Sequence, residues 1–312
     1  MALGYVCMNR TLRERDPPLR CNRGMRERTW EERGLPYASE LTLQNFRDLR
    51  EILEWNREHG IDFYRCTSDL VPWHSQYDLE QLPDYEEIRE VAEDCGAFVR
   101  EHGMRLTFHP SHWVKLASES EDTVENSLRD LENHGAWLDL LGLDRSPYYG
   151  INVHIGAHYG DKSATGERFR AAVERLSPAA RERLTVENDD SESLWSVPEL
   201  VEAVGDPLGV PIVFDYHHHT FASRGLSHRE AFALAAGTWP DGVRPATHYS
   251  EPARLHDDPD AKPGAHSEYV ASVPDWLARE SDVMLEAGAK ERAVLALRES
   301  EAAGAREPGR PE

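Results

Sequence analysis

Eight side chains of metal-binding or phosphate-binding type share one placement in this chain. Asn9, Asp69, His109, His154, Glu187, Asp215, His248 and Glu286 each stand at or beside the end of a short apolar run: GYVCMN, IDFYRCTSD, MRLTFH, GINVHI, RLTVEN, VPIVFD, PATHYS and DVMLE. Imidazole and carboxylate together suit zinc, manganese or iron, whereas carboxylates alone favour magnesium. Such ions held side by side clamp the attacking and leaving oxygens of a phosphodiester during in-line displacement. Glu187 falls in strand order between the two histidines His109 and His154 and the later Asp215, where it could bridge two ions. Asp215-Tyr216-His217-His218-His219 is the strongest local cluster, because a strand-ending aspartate followed within a turn by histidine serves two adjacent ions from one loop. Spacing alone does not choose among its three histidines. The expectation is a polynuclear metal centre.

Side chains at the ends of many different strands converge only if those strands are parallel and closed into a barrel. In (β/α)₈ barrels the active site lies at the C-terminal strand ends, fed by the loops that follow. The spacing supports that architecture. Leu43, Phe46, Leu49, Ile52 and Leu53 recur at helical period after Thr42, a candidate N-cap, and Gly60 stops the helix before the second strand. Ile88, Val91, Ala92, Cys95, Phe98 and Val99 repeat the arrangement before Gly103 and the third strand. Val124, Leu128, Leu131, Trp137 and Leu141 precede the fourth. Later helices are predicted at 164–176, 197–204, 228–236 and 273–278. The reading is an α/β fold, a single TIM barrel over residues 1–298, followed by an Ala/Gly/Pro/Glu-rich tail, 299–312, expected to be disordered. A long arginine-rich loop, 10–37, follows the first strand, where insertions in this fold carry function.

With 57 acidic against 35 basic residues the net charge is −22, and Lys115, Lys162, Lys262 and Lys290 are the only lysines. Such a surface suits concentrated salt, where screening lengths shrink to about 3 Å at 1 M and like-charge repulsion costs little. The same balance speaks against non-specific nucleic-acid affinity, which rests on a basic face and counterion release. Cys7, Cys21, Cys66 and Cys95 form no C-x-x-C pair, and no secretory leader is evident, so a reduced cytoplasmic protein is expected. No apolar run approaches the roughly 20 residues of a bilayer span.

The strand ends sit within longer motifs. From GYVCMN through LTLQNFRDLREILEWNREHGIDFYRCTSDLVPW, LTFHPSHW, VHIGAHYGDK, LTVENDD, VFDYHHH and THYSE to DVMLEAGAKERAVL, almost the whole chain resembles the UV damage endonucleases (UvdE). That resemblance implies a TIM barrel of the kind found in AP endonuclease IV and xylose isomerase. It implies DNA excision repair: cleavage immediately 5′ to pyrimidine dimers and 6-4 photoproducts, and also at abasic sites, leaving 3′-hydroxyl and 5′-phosphate ends. UV-damaged double-stranded DNA is the implied partner, and a monomer is expected. The implied cofactors are divalent ions, manganese above all, on the order of two or three per chain. Carried over by position, the family's ligands fall on His74, His109, His154, Glu187, Asp215, His218, His248, His266 and Glu286, with His218 chosen over its neighbours. Glu187, His109, Asp215 and Glu286 form the implied catalytic core. Tyr5 and Asn9 match positions near the damaged strand, and Lys162, after the Gly160-Asp161 turn, is a candidate phosphate contact.

Two departures from the family pattern stand out. Where the family usually reads His-Pro-Gly-Gln and an aromatic, this chain has His109-Pro110-Ser111-His112-Trp113. Trp113 keeps a large surface able to wedge into an unstacked step, and His112 puts a titratable ring in place of the amide. Where the family commonly has a modified lysine two residues before His248, this chain has Ala246, which can neither coordinate nor carry a carbamate. The competing readings are a sugar isomerase or epimerase on the same barrel, and a lesion-binding protein altered by that alanine.

Overall fold

The computed structural model describes residues 1–304. Among them, eight parallel strands close on one another in sequence order: β1 (Leu3–Val6), β2 (Phe63–Cys66), β3 (Arg105–Phe108), β4 (Ile151–Val153), β5 (Leu184–Glu187), β6 (Ile212–Asp215), β7 (Ala246–Tyr249) and β8 (Asp282–Leu285). Nearly every strand residue is buried, as expected where helices cover the outer face of a parallel sheet. The expected TIM barrel is therefore the fold.

The helices that wrap the barrel follow the apolar spacing. In Tyr85–Glu101, Ile88, Ala92, Cys95 and Val99 make the buried stripe. In Glu121–Leu140 it is Val124, Leu128, Leu131, Trp137 and Leu138. Lys162–Val173, Val197–Leu200, His228–Ala236 and Asp275–Glu280 occupy the later positions; a π-helical stretch, Val201–Gly205, and a short helix, Asp206–Leu208, continue the second of these.

Three local expectations are corrected. Thr42 caps nothing. It lies inside the helix Glu27–Glu58, its Oγ1 donating to the Ala38 carbonyl one turn back at 2.8 Å. That helix is two segments joined at Gly34, whose φ of 55° and ψ of −148° are open to glycine, and Pro36 then starts the second segment, where a missing N–H costs little. The segment 10–37 is thus partly helical, with a further turn at Arg10–Arg13. At the other end, residues 299–304 continue the helix Glu291–Gly304. Leu297 is in the core and Arg298 Nη1 donates to the His59 carbonyl at 3.1 Å. The remainder of the expected tail, 305–312, lies outside the described residues.

The N-terminal end of the barrel is closed by a buried cation. Arg105 is fully buried, its guanidinium 3.2 Å from Asp282 Oδ2 and donating to the carbonyls of Tyr148 and Arg244. Above it lies a small apolar layer of Val6, Phe63, Val213, Trp239, Ala246 and Met284. Polar chemistry begins only beyond that layer, one inward position further along the strands.

Candidate metal centre

Strand register brings the donors together. Asp215 pairs with His248 across β6 and β7, so the two stand side by side at the same depth. Glu187 ends β5 and is almost completely buried in their midst. One of its oxygens, Oε2, lies 2.9 Å from His248 Nδ1, 3.4 Å from His109 Nε2 and 3.8 Å from His154 Nε2. The other, Oε1, lies 3.3 Å from His218 Nδ1. Glu286, just past β8, reaches to 3.2 Å of the same His248 nitrogen. Two donor groups result, His109–His154–Glu187 and Glu187–Asp215–His248–Glu286, each with its ligand atoms within 4.8 Å of one another. Glu187 belongs to both.

Surrounding groups fix the rings. His109 Nδ1 lies 3.0 Å from the Pro110 carbonyl and His218 Nδ1 lies 2.9 Å from that of Asn188; donation there leaves each Nε2 with its lone pair for coordination. His266 Nδ1 is paired with Ser250 Oγ at 2.7 Å. Asn188 also brackets Asp215, accepting from its backbone N–H at 2.8 Å and donating to its carbonyl at 3.1 Å. Arg65, pointing inward from β2, donates to Glu286.

The electrostatics are those of a cation site. Burial opposes the charged form of Glu187, but the facing His248 and His154 outweigh it and hold this carboxyl well below the usual range. Glu286 is likewise held low against burial by Arg65 and His248. Burial also disfavours imidazolium, yet Glu187 and Asp189 lift His154 to about 9, while Asp215 and Glu187 lift His218 to about 9. Asp215 goes the other way, pushed up to about 7 chiefly by burial. His154 Nδ1 and His248 Nδ1 lie close to carboxylate oxygens without an aligned hydrogen bond, and Asp215 Oδ2 is buried without a hydrogen-bond partner. Orphaned donor atoms beside partly neutralised carboxylates are what a divalent ion would satisfy, and the residues fit one.

Other predicted residues fall elsewhere. Of the three consecutive histidines only His218 faces Glu187; His217 turns to the Gly264 carbonyl and packs 4.9 Å from the His266 ring, and His219 turns to the Leu226 carbonyl. His74 joins neither donor group. Its Nδ1 accepts from Trp137 Nε1 at 2.7 Å, which uses the lone pair a metal would need on that side, and its ring stacks on Trp137. Tyr5 and Asn9 are buried and bonded to each other at 3.0 Å; Tyr5 also donates to Asn56, and Asn9 caps the Arg10–Arg13 turn. Both anchor the loop from within. Lys162 is committed to Glu199 at 2.7 Å and to the Leu194 carbonyl, so its ammonium is not free for phosphate. Asp69 is exposed and outside both groups. Trp113 is 72% exposed at the mouth, with the His112 ring tilted against it at 4.5 Å. Ala246 lies in the apolar layer under His248 and offers no donor.

Two participants escaped the sequence reading. Arg65 stands in the run Ile61–Cys66, where an arginine at an inward position of a buried strand signals a carboxylate partner. Asp189, two residues past Glu187, has Oδ1 3.1 Å from His154 Nδ1 and accepts from the Trp195 N–H through Oδ2. The acidic pair Asp189-Asp190 in LTVENDD was the available signal.

Fold and site together define a (β/α)₈ barrel whose mouth holds two His/carboxylate donor groups, joined at Glu187, that fit a divalent metal ion. The family model of the UV-endonuclease UvdE matches residues 1–308, and the chain belongs to that family. A UV-damage endonuclease of Schizosaccharomyces pombe is 34% identical over 311 residues, 95% of this chain and 50% of that protein. A UV DNA damage endonuclease of Clostridium perfringens is 30% identical over 268 residues, 82% of this chain and 61% of that protein. The chain thus spans about half the length of the fungal relative. The crystal structure of SacUVDE is similar with a TM-score of 0.82 at 28% identity, covering 98% of this chain and 100% of that one.

Proposed function

We propose that this protein is a metal-dependent DNA-repair endonuclease that nicks the phosphodiester immediately 5′ to UV photoproducts, pyrimidine dimers and 6-4 products, and acts also at abasic sites. It leaves 3′-hydroxyl and 5′-phosphate ends, and works as a cytoplasmic monomer. The observation that carries this reading is the sharing of Glu187 between two donor groups at the barrel mouth, beside an exposed tryptophan. His109, His154 and Glu187 would hold one divalent ion, and Glu187, Asp215, His248 and Glu286 another; His218 and His266 are the donors for a third. Bound there, such ions, manganese by family resemblance, supply the Lewis acidity and the lowered water pKa that phosphodiester hydrolysis requires.

The chain's own residues set the stage. The Pro110 and Asn188 carbonyls hold the rings of His109 and His218 in one tautomer, and Arg65 keeps Glu286 ionised and in place. Trp113, exposed and unsupported by core contacts, is placed to wedge into a base step; a damaged step unstacks at part of the few kcal/mol an intact one costs. A sugar isomerase has no use for such a wedge. Ala246 leaves the side of the centre near His248 without a lysine donor, and the orphaned Asp215 Oδ2 carries that side instead.

Glu187→Gln keeps the shape of the bridge and removes its charge. It is expected to lower metal-dependent nicking of UV-irradiated plasmid by about 10³-fold or more, the scale at which an electrostatic participant is lost, and to weaken manganese binding in calorimetry. Retained nicking in Glu187→Gln, or in His109→Ala, would refute the assignment.

A further inference from the structure

The chain is strongly acidic, yet one stretch of its surface is not. Arg13, Arg15, Arg20 and Arg26 are exposed, and among the described residues none of them has a carboxylate partner. Many cations elsewhere are bonded within the fold. Arg47 pairs with Glu87, Arg89 with Glu86 and Glu93, and Arg168 donates to the Ala117 carbonyl. Within the same segment the arginines with structural duties are also distinguishable: Arg10 pairs with Glu268 at 3.2 Å and Arg23 with Asp48 at 2.5 Å.

The segment is held rigidly. At one end the backbone N–H groups of Arg10 and Thr11 donate to Glu291 at 2.8 and 2.7 Å. In the middle the Arg20 N–H donates to Asp48 at 2.9 Å, and the Asn45 side chain is bonded to the Arg23 backbone in both directions. At the far end the Met25 carbonyl accepts from Trp73 Nε1 at 2.9 Å. These anchors stretch the segment as an arc along the mouth, from the loop after β8, past β1, to the loop after β2. Beyond it, on the loop after β3, stand Trp113 and an exposed, unpaired Lys115.

A row of free guanidinium groups costs solubility nothing, but in a chain of net charge −22 it is the place where ion pairing would have been easiest. Four exposed cations on one segment, anchored from Glu291 to the loop after β2, suit a polyanionic ligand. We propose that Arg13, Arg15, Arg20 and Arg26 form a phosphate track that seats the DNA duplex on the β1 to β3 side of the mouth. The track rests on the nuclease reading for its purpose but not for its existence. It supplies the sequence-independent grip that the overall charge would otherwise deny, and positions rather than reads the duplex.

The test is fluorescence anisotropy with an undamaged duplex, so that neither a lesion nor cleavage is required. Wild type, a variant with all four arginines changed to alanine, and one with all four changed to lysine are titrated across a KCl series. Each neutralised phosphate contributes about −0.9 to the slope of log K against log salt. The alanine variant is expected to lose about 3.6 from the magnitude of that slope, four contacts at about 0.9 each, and the lysine variant to keep it. An unchanged slope in the alanine variant, an equal loss in the lysine variant, or no measurable binding by wild type would overturn the track. Matched circular-dichroism melting curves show that the folds are comparable. Nicking of irradiated plasmid is scored separately: a shallower slope in the alanine variant with no nicking by wild type would keep the track and discard the nuclease reading.

Discussion

His74 shows how much a single position depends on its surroundings. It is buried against Trp137 and Tyr77, and burial first, then the nearby His134, push its pKa down to about 4. A histidine with a depressed folded-state pKa binds its proton more readily when unfolded. Its neutral form therefore contributes stability that is complete above the unfolded value near pH 6.5 and is lost as the pH falls toward 4. Between pH 7 and pH 5 the loss is about 2 kcal/mol. Gln in its place still accepts the Trp137 N–H but cannot titrate. Urea midpoints measured at both pH values should show His74→Gln shedding most of that pH dependence; an identical dependence in the variant would count against a buried neutral imidazole. The other side chains at this scale divide by what sequence can express. A histidine or carboxylate ending an apolar run announces itself, as His109, His154, Glu187, Asp215 and Glu286 did. Which nitrogen of a ring is free, or that Tyr5 and Asn9 spend their polar atoms on each other, depends on partners remote in sequence and is set only by the fold.

At the scale of elements the barrel was legible because each strand is short, apolar and closed by a polar residue, and because the helix Tyr85–Glu101 keeps its buried stripe at helical spacing. Register then did what spacing could not, setting Asp215 beside His248. The segment 10–37 was misread as loop because its arginines and glutamates carry no apolar period, although those residues favour helix, and Thr42 was misread as a cap because Pro36 had already started the segment. Helix packing makes its own prediction at Gly96. A Cβ there would stand 1.5 Å from the Leu141 carbonyl oxygen, backbone that cannot yield without separating Tyr85–Glu101 from the end of Glu121–Leu140. Gly96→Ala should destabilise by about 1 to 3 kcal/mol in chemical denaturation, the usual range for overpacking. Gly24→Ala, where nothing lies within 4 Å, serves as the control and should be close to neutral. Equal stability of the two variants would mean that the helices are not packed as described.

The molecule as a whole is strongly acidic, with exposed arginines concentrated in the segment 10–26 and the His/carboxylate donor groups recessed in the barrel mouth. Net charge was plain in the composition, but its division was not: that Arg13, Arg15, Arg20 and Arg26 are exposed without a carboxylate partner is a property of the folded surface. That division makes ionic strength a variable of function. Screening spares an acidic surface its self-repulsion while weakening the grip on phosphate, so activity should depend on salt more steeply than stability does. No helix among the described residues is long and apolar enough to cross a membrane. The most direct test of the central claim is a nicking assay on a duplex carrying one pyrimidine dimer at a known position, with manganese, magnesium, zinc or chelator, at several salt concentrations. The expected result is a single metal-dependent incision immediately 5′ to the dimer, fastest with manganese, abolished by chelator and absent from the undamaged duplex. Incision that survives chelation, or that ignores the dimer, would contradict it.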